Sequence, residues 1–167
     1  MEVSALLVED NPGDATLVEH HLGNPAVERV VGQTTLTHVE SLTAAEETLA
    51  ADRFDVVLLD LGLPESSGVE TVRRVDEMGV NAPMIVLTGL DDSDVAIEAI
   101  STGAQDFLPK GDLDGDRLAR SLRYAIERHE NERALARRNE QLDFFNSILR
   151  HDMLNGLNVI LARAQMV

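Results

Sequence analysis

The chain has no cysteine, which excludes disulfide staples and thiolate metal sites. It has no apolar run near the roughly 20 residues that a membrane-spanning helix needs. Its N-terminus, MEVSALLVED, has no basic leader segment and turns acidic at Glu9, so it reads as a first strand rather than a signal peptide. The lack of cysteine by itself assigns no compartment; the chain is expected in the cytoplasm and away from membranes. Lysine is nearly missing too: the bases are 13 Arg and the single Lys110. Glycine and proline are both absent from Asp116 to Asn155, so nothing in that stretch interrupts a helix.

What is present is acid. The 30 Asp and Glu against 14 Lys and Arg give a net charge of −16. Residues 1–129 carry 25 acids and 9 bases, whereas residues 130–167 carry five of each. This break predicts two units: a domain over 1–128 and a helical extension over 129–167. A first unit so negative repels phosphates, which argues against nucleic acid as a partner. Heavy acid with scarce Lys resembles proteins of a high-salt (halophilic) cytoplasm. At 44% hydrophobic residues, the 167-residue chain can bury a core unaided.

The pattern along the chain alternates strand and helix. Val3–Val8 is an apolar run broken by Glu9, Asp10, Asn11, Pro12 and Gly13. Asp14 then reads as the cap of a helix carrying Ala15, Leu17, Val18 and Leu22, stopped by Gly23. Gln33–Val39 alternates as a second strand, and Ser41 or Thr43 starts a helix through about Ala51. The third strand, Val56–Leu59, is dense in branched side chains, as suits burial on both faces, and ends on Asp60. Gly62, Pro64 and Gly68 punctuate a loop. A helical pattern follows from Ser67, with Val69, Val72, Val75 and Met78, and Gly79 ends it. Pro83–Thr88 is a fourth strand, and Asp91–Gly103 a helix with Val95, Ile97 and Ile100 apolar. Gln105–Leu108 is a fifth strand, and the last helix begins after Lys110-Gly111. Five such alternations predict an α/β doubly wound parallel sheet. The pattern is compatible with the flavodoxin-like order 2-1-3-4-5, which makes the ends of strands 1 and 3 neighbours.

That order brings Glu9, Asp10 and Asp60 together. Three converging acids repel unless a cation sits among them, and hard oxygen donors favour Mg²⁺. Thr88 ends strand four and Lys110 follows strand five. A hydroxyl, an ammonium and a divalent cation around one carboxylate suit a dianion, and phosphoryl transfer needs little beyond positioning and cations. Asp60 is then the nucleophile of an acyl phosphate. Singly, each residue has a plainer reading: Asp60 or Thr88 as a cap, Lys110 as a solvated charge, Glu9 and Asp10 as loop acids.

The motifs VEDNPGD, LLDLGLPESSGVE, PMIVLTG and DFLPK together resemble the receiver domain of two-component response regulators, over roughly residues 3–128. The resemblance implies that Asp60 accepts the phosphoryl group and that Glu9, Asp10, Asp60 and the backbone carbonyl of Gly62 hold Mg²⁺. It also implies that Thr88 and Lys110 bind the phosphoryl group, and that Phe107 is an aromatic switch moving with Thr88. The chain departs from the family at Gly111, where a proline is usual; a cis peptide is not expected there. Two alternatives stand beside it. A phosphatase working through an aspartyl phosphate usually has a second Asp two residues after the nucleophile, and Gly62 stands there. A pseudo-receiver, acting only as a dimerisation module, would have lost Asp60, Lys110 or the acidic pair.

From Asp116 to Asn155, 40 residues make a helix of about 60 Å. Leu135, Leu142 and Leu149 recur at seven, with Phe145 and Ile148 between, although Arg138 and Asp152 interrupt the register. The spacing predicts a coiled coil pairing two copies into a homodimer; the other reading is an amphipathic helix packed on its own domain. Within it SILRHDMLNGLNVIL resembles the phospho-acceptor box on the first dimerisation helix of a histidine kinase. His151 matches the acceptor, Asp152 the neighbouring acid and Asn155 a position that can orient water. The expected partner is therefore an upstream or attached histidine kinase. With no second dimerisation helix or ATP-binding domain in this sequence, the chain is expected to be the N-terminal part of a longer kinase, unable by itself to use ATP.

The charge leads to one expectation. Self-repulsion in the acidic unit is screened over about 10 Å at 0.1 M salt but about 3 Å at 1 M. Melting temperature should rise over that range; a flat or falling trend would remove the high-salt reading.

Overall fold

A computed structural model of the chain describes residues 2–89 and 93–164. In chain order the elements are β1 Glu2–Val8, α1 Pro12–Leu22, α2 Pro25–Val31, β2 Gln33–Val39, α3 Leu42–Ala51, β3 Val56–Asp60, β4 Gly62–Leu63, β5 Ser66–Ser67, α4 Val69–Glu77, β6 Met84–Thr88, α5 Ser93–Thr102, β7 Asp106–Pro109 and α6 Gly115–Ala164. Five strands form one parallel sheet in the order β2-β1-β3-β6-β7. Counted among the sheet's own strands this is the order 2-1-3-4-5, the flavodoxin-like order.

The central strands are apolar because both faces are covered. All five residues of β3 and all five of β6 are buried. Alternate residues feed two cores. Val3, Ala5, Leu7, Leu58, Ile85 and Leu87 meet Val18 of α1 and Leu118 and Leu122 of α6. Leu6, Val8, Val57, Leu59 and Val86 meet Leu42 of α3, Val72 and Val75 of α4 and Ala99 of α5. Each buried branched side chain contributes roughly 1.5–3 kcal/mol. Register then sets the site. Val8 lies level with Leu59, so Glu9 and Asp60 leave their strands side by side. Asp60 lies level with Leu87, and Thr88 with Pro109, the residue before Lys110.

Several local expectations are corrected. Asn11, not Asp14, caps α1: its Oδ1 accepts from the Gly13 and Asp14 amides at 2.8 and 3.2 Å. Pro12 occupies the first helical position, where a missing N–H costs nothing. A helix goes unpredicted at α2, although Asn24 caps it and Pro25 opens it; seven residues are too few to show a period. The helix expected from Ser67 starts at Val69, because Ser66–Ser67 pairs antiparallel with Gly62–Leu63. Gly68 makes the turn from β5 into α4 at φ 61°, a conformation that favours glycine. Strand five is shifted by one residue, to Asp106–Pro109. On α5, Ala96 and Ala99 are the buried positions, whereas Ile97 is 64% exposed and Ile100 40%. The predicted start of that helix at Asp91 lies outside the described residues. The Lys110–Gly111 peptide is trans.

The chain divides between His129 and Glu130 into two compact units. In the first, α6 buries Leu118, Ala119, Leu122, Ala125 and Ile126. In the second, every described residue is exposed, and its apolar stripe includes Leu135, Leu142, Phe145, Ile148 and Leu149. Among the described residues no helix is long and apolar enough to cross a membrane.

Candidate functional site

A cleft of about 330 Å³ opens at the C-terminal ends of β1, β3 and β6. Glu9, Asp10, Asn11, Asp14, Asp60, Gly62, Gly89 and Lys110 are among its lining. Each position follows from the fold. Glu9 is wholly buried; its amide donates to the Val39 carbonyl at 3.0 Å. Its own carbonyl lies 2.7 Å from His38 Nε2, a bond that requires a proton on that nitrogen. Its Oε1 accepts from the Asn11 amide at 3.0 Å. Asp60, 5% exposed, accepts at Oδ2 from the Gly62 amide at 3.1 Å. A side chain at position 62 would crowd that oxygen at 3.3 Å.

Lys110 reaches back across the sheet end to three carboxylates. Its Nζ lies 2.7 Å from Glu9 Oε2, 2.8 Å from Asp14 Oδ2 and 2.8 Å from Asp60 Oδ1. Of these, the contact with Asp14 is a well-directed hydrogen bond. Glu9 Oε2 sits off the hydrogen-bonding direction, buried and with no aligned donor. Four carboxylates against one ammonium leave three charges uncompensated when all are ionised.

The pKa shifts follow from this crowding. Burial pushes the Glu9 carboxyl above its ordinary value and outweighs the Lys110 ammonium and the Asn11 amide, while the Asp60 charge adds to the rise. Burial also works against the Lys110 charge, but Asp14, Asp60 and Glu9 prevail and hold its pKa above the lysine range. The pair is unequal because Lys110 is shared among three acids while Glu9 has no water to fall back on.

The arrangement suits a small hard cation. One carboxylate oxygen from each of Glu9, Asp10 and Asp60 lies within 4.8 Å of the others, and all donors are oxygen. Ligands of Mg²⁺ stand about 2.1 Å from the ion, with waters completing the shell, so it can reach these acids directly or through one water. The buried, poorly aligned Glu9 Oε2 is an oxygen that such an ion would satisfy.

Of the residues singled out from the sequence, Glu9, Asp10, Asp60, Gly62 and Lys110 share this cleft. Thr88 is 3% exposed at the end of β6, between the cleft-lining Leu87 and Gly89. Phe107 packs partly buried against the second core and borders a different cleft, beside Arg120 and Tyr124 of α6. His151 and Asp152 belong to the second unit and are exposed. Asn155 Nδ2 lies 3.1 Å from His151 Nδ1, and Asp152 Oδ1 3.8 Å from it. Asp14 is the residue that sequence reasoning misplaced. Its spacing from Asp10, four residues on, could have flagged it, but its cap-like position concealed it.

A family model described as the response regulator receiver domain matches residues 5–123. The chain is 36% identical over 101 residues to the response regulator protein PmrA of Pseudomonas aeruginosa, covering 60% of this chain and 45% of PmrA. It is 32% identical over 106 residues to the response regulator protein PilR of the same species, covering 64% of this chain and 22% of PilR. The chain thus spans less than half the length of these relatives. Among solved structures it is similar to the signal receiver domain of a LuxO repressor protein from Vibrio parahaemolyticus, at 26% identity and TM-score 0.66, covering 81% of this chain and 98% of that one. It is also similar to the receiver domain of a sensor histidine kinase of P. aeruginosa PAO1, which has a magnesium ion coordinated in its active-site cleft. That match has 29% identity and TM-score 0.60, covering 76% of this chain and 99% of that one.

Glu9 gives the site a pH signature. Burial holds its folded pKa above the ordinary glutamate value of 4.5, so between the two the folded state holds a proton that the unfolded state has released. Its contribution to stability is therefore greatest at low pH and is lost as pH rises through the folded pKa. In chelator, melting temperatures measured from pH 4.5 upward should show this loss, and Glu9→Gln should flatten it. Equal slopes for the two proteins would contradict the burial of an ionising Glu9.

Proposed function

The chain belongs to the response regulator receiver family, and on that premise we propose that it is a phosphoryl-accepting unit in two-component signalling, with Asp60 as the acceptor. The observation that carries the reading is the cleft that joins Asp60, three further acids and the only lysine. Glu9, Asp10, Asp60 and the Gly62 carbonyl would hold Mg²⁺, which when bound supplies positive charge to the transferring group. Support comes from the matching acid cluster and from the magnesium in the similar kinase receiver. An Asp60 carboxylate oxygen attacks phosphorus, the O–P bond forms, and the bond from phosphorus to the donor atom (an imidazole nitrogen of a kinase phosphohistidine, or the oxygen of an acyl phosphate) breaks with its electron pair leaving on the donor. No proton is needed when the donor is an acyl phosphate. Lys110, now on Asp60 Oδ1, moves to a phosphoryl oxygen, and the Thr88 hydroxyl meets another. Thr88 and Phe107 then form a two-position switch. Gly62 leaves no second acid for rapid hydrolysis, which favours signalling over phosphatase turnover.

The finer reading extends to α6, which contributes residues to both units. A second copy would cover the stripe at Leu135, Leu142 and Leu149, with Phe145 and Ile148, as a coiled coil. His151 would be the phospho-acceptor of an attached histidine kinase, with Asp152 as base and Asn155 as its orienting neighbour. The 3.1 Å approach of Asn155 to His151 supports that grouping. We place this assembly in the cytoplasm, within a longer protein, and without nucleic acid as a partner of this segment.

Acetyl phosphate with Mg²⁺ should label the protein; chelation or Asp60→Asn should abolish the label, and Lys110→Ala should slow it. In a chain extended to an ATP-binding domain, beryllofluoride should change the rate of His151 labelling, and Asp60→Asn should remove that change. Labelling of His151 that ignores beryllofluoride would reduce the receiver to a passenger, and full labelling of Asp60→Asn would refute the acceptor.

A further inference from the structure

Lys110 is held by three acids that differ in kind. Glu9 and Asp60 belong to the cluster whose oxygens could hold a metal, and Asp14 does not. Yet the directed hydrogen bond of the ammonium goes to Asp14, at 2.8 Å. Asp14 comes from another direction, the first turn of α1, where its position is fixed locally. The Asn11 cap accepts from the Asp14 amide itself, and Pro12 sets the backbone before it. The helix N-terminus favours a negative charge there. Its side chain is 38% exposed, whereas the Lys110 side chain is 17% exposed and that of Asp60 7%.

A divalent cation entering among Glu9, Asp10 and Asp60 competes with the ammonium for Glu9 Oε2 and Asp60 Oδ1. Two cations on the same oxygens repel, so Lys110 must withdraw as the ion arrives. A lysine that withdrew into solvent would be lost to Asp60. We propose that Asp14 is a positioning residue that acts through Lys110: it holds the ammonium clear of the metal-facing oxygens and within reach of a group on Asp60. This rests on the reading of the cleft as a Mg²⁺ site. Without Asp14, Lys110 falls back on Glu9 and Asp60 and competes harder with the ion.

The test is a double-mutant cycle on Mg²⁺ affinity, measured by calorimetry without any phosphoryl donor. Asp14→Ala should weaken Mg²⁺ binding by about five- to tenfold, a change of roughly 1 kcal/mol. Asp14→Asn, which keeps an acceptor oxygen, should recover part of it. In a Lys110→Ala background, Asp14→Ala should change the affinity less than about twofold, because the residue has lost the group it acts through. An equal loss in both backgrounds would make Asp14 a direct or water-bridged influence on the ion and overturn the proposal, as would no loss in either. A second readout follows from Lys110 being the only lysine: isotope-labelled lysine gives one side-chain amine signal. On adding Mg²⁺ it should stay shifted from free lysine in the wild type and move toward free lysine in Asp14→Ala; the same response in both would refute the positioning role. Failure of the wild type itself to bind Mg²⁺ would overturn the site reading beneath the proposal.

Discussion

Negative charge crowded at the end of a buried sheet is the constraint on which the rest of this structure turns. The central strands β3 and β6 carry only apolar side chains until they reach the rim, and there the ends of β1 and β3 deliver Glu9, Asp10 and Asp60 within a few ångströms of one another. The sole lysine is spent entirely on that crowd, crossing from the end of β7 to reach Glu9, Asp14 and Asp60. One ammonium cannot balance four carboxylates, so the site is built with a standing deficit of positive charge. On the proposed function, that deficit is what a divalent cation, and through it a phosphoryl dianion, would answer. Parallel strands place their carboxyl ends on one edge, so the topology supplies the convergence without any long-range loop.

The same logic explains why so much of the fold was legible in the sequence. Runs such as Val56–Leu59 and Met84–Leu87 have one stable home, a strand covered on both faces, and the alternation with helices then selects a parallel sheet. Asp60 was conspicuous because a charge ended such a run. Glu9, Asp10 and Lys110 stood at the corresponding ends of other strands. Where reading failed, local and tertiary effects competed. Asn11 and Asp14 can both cap a helix, and only the structure shows Asn11 doing so while Asp14 turns to a lysine 96 residues away. On α5 the isoleucines outrank the alanines in hydropathy, but Ala99 joins the core that holds Val75 and Val86, Ala96 is buried as well, and Ile97 and Ile100 are left outside. A partnership between residues distant in the chain leaves no period, so the contact of Asp14 with Lys110 was hidden behind its cap-like position.

The two units differ in what the sequence can say of them. In the first, burial and register constrain nearly every functional side chain. In the second, a regular helix exposes Leu135, Leu142, Leu149, His151, Asp152 and Asn155 alike, so their meaning depends on what covers or approaches them. α6 contributes residues to both units, packed in the first and exposed in the second.

The central claim is that this cleft directs a phosphoryl group onto Asp60 and no other acid. It is tested most directly by treating the protein with acetyl phosphate and Mg²⁺, reducing with borohydride and mapping the peptides by mass spectrometry. An acyl phosphate is reduced to the corresponding alcohol, so homoserine at position 60, absent when Mg²⁺ is chelated, is the expected result. Reduction at Asp10 or Asp14 instead, or an untouched residue 60 in protein that carries phosphate, would contradict the assignment.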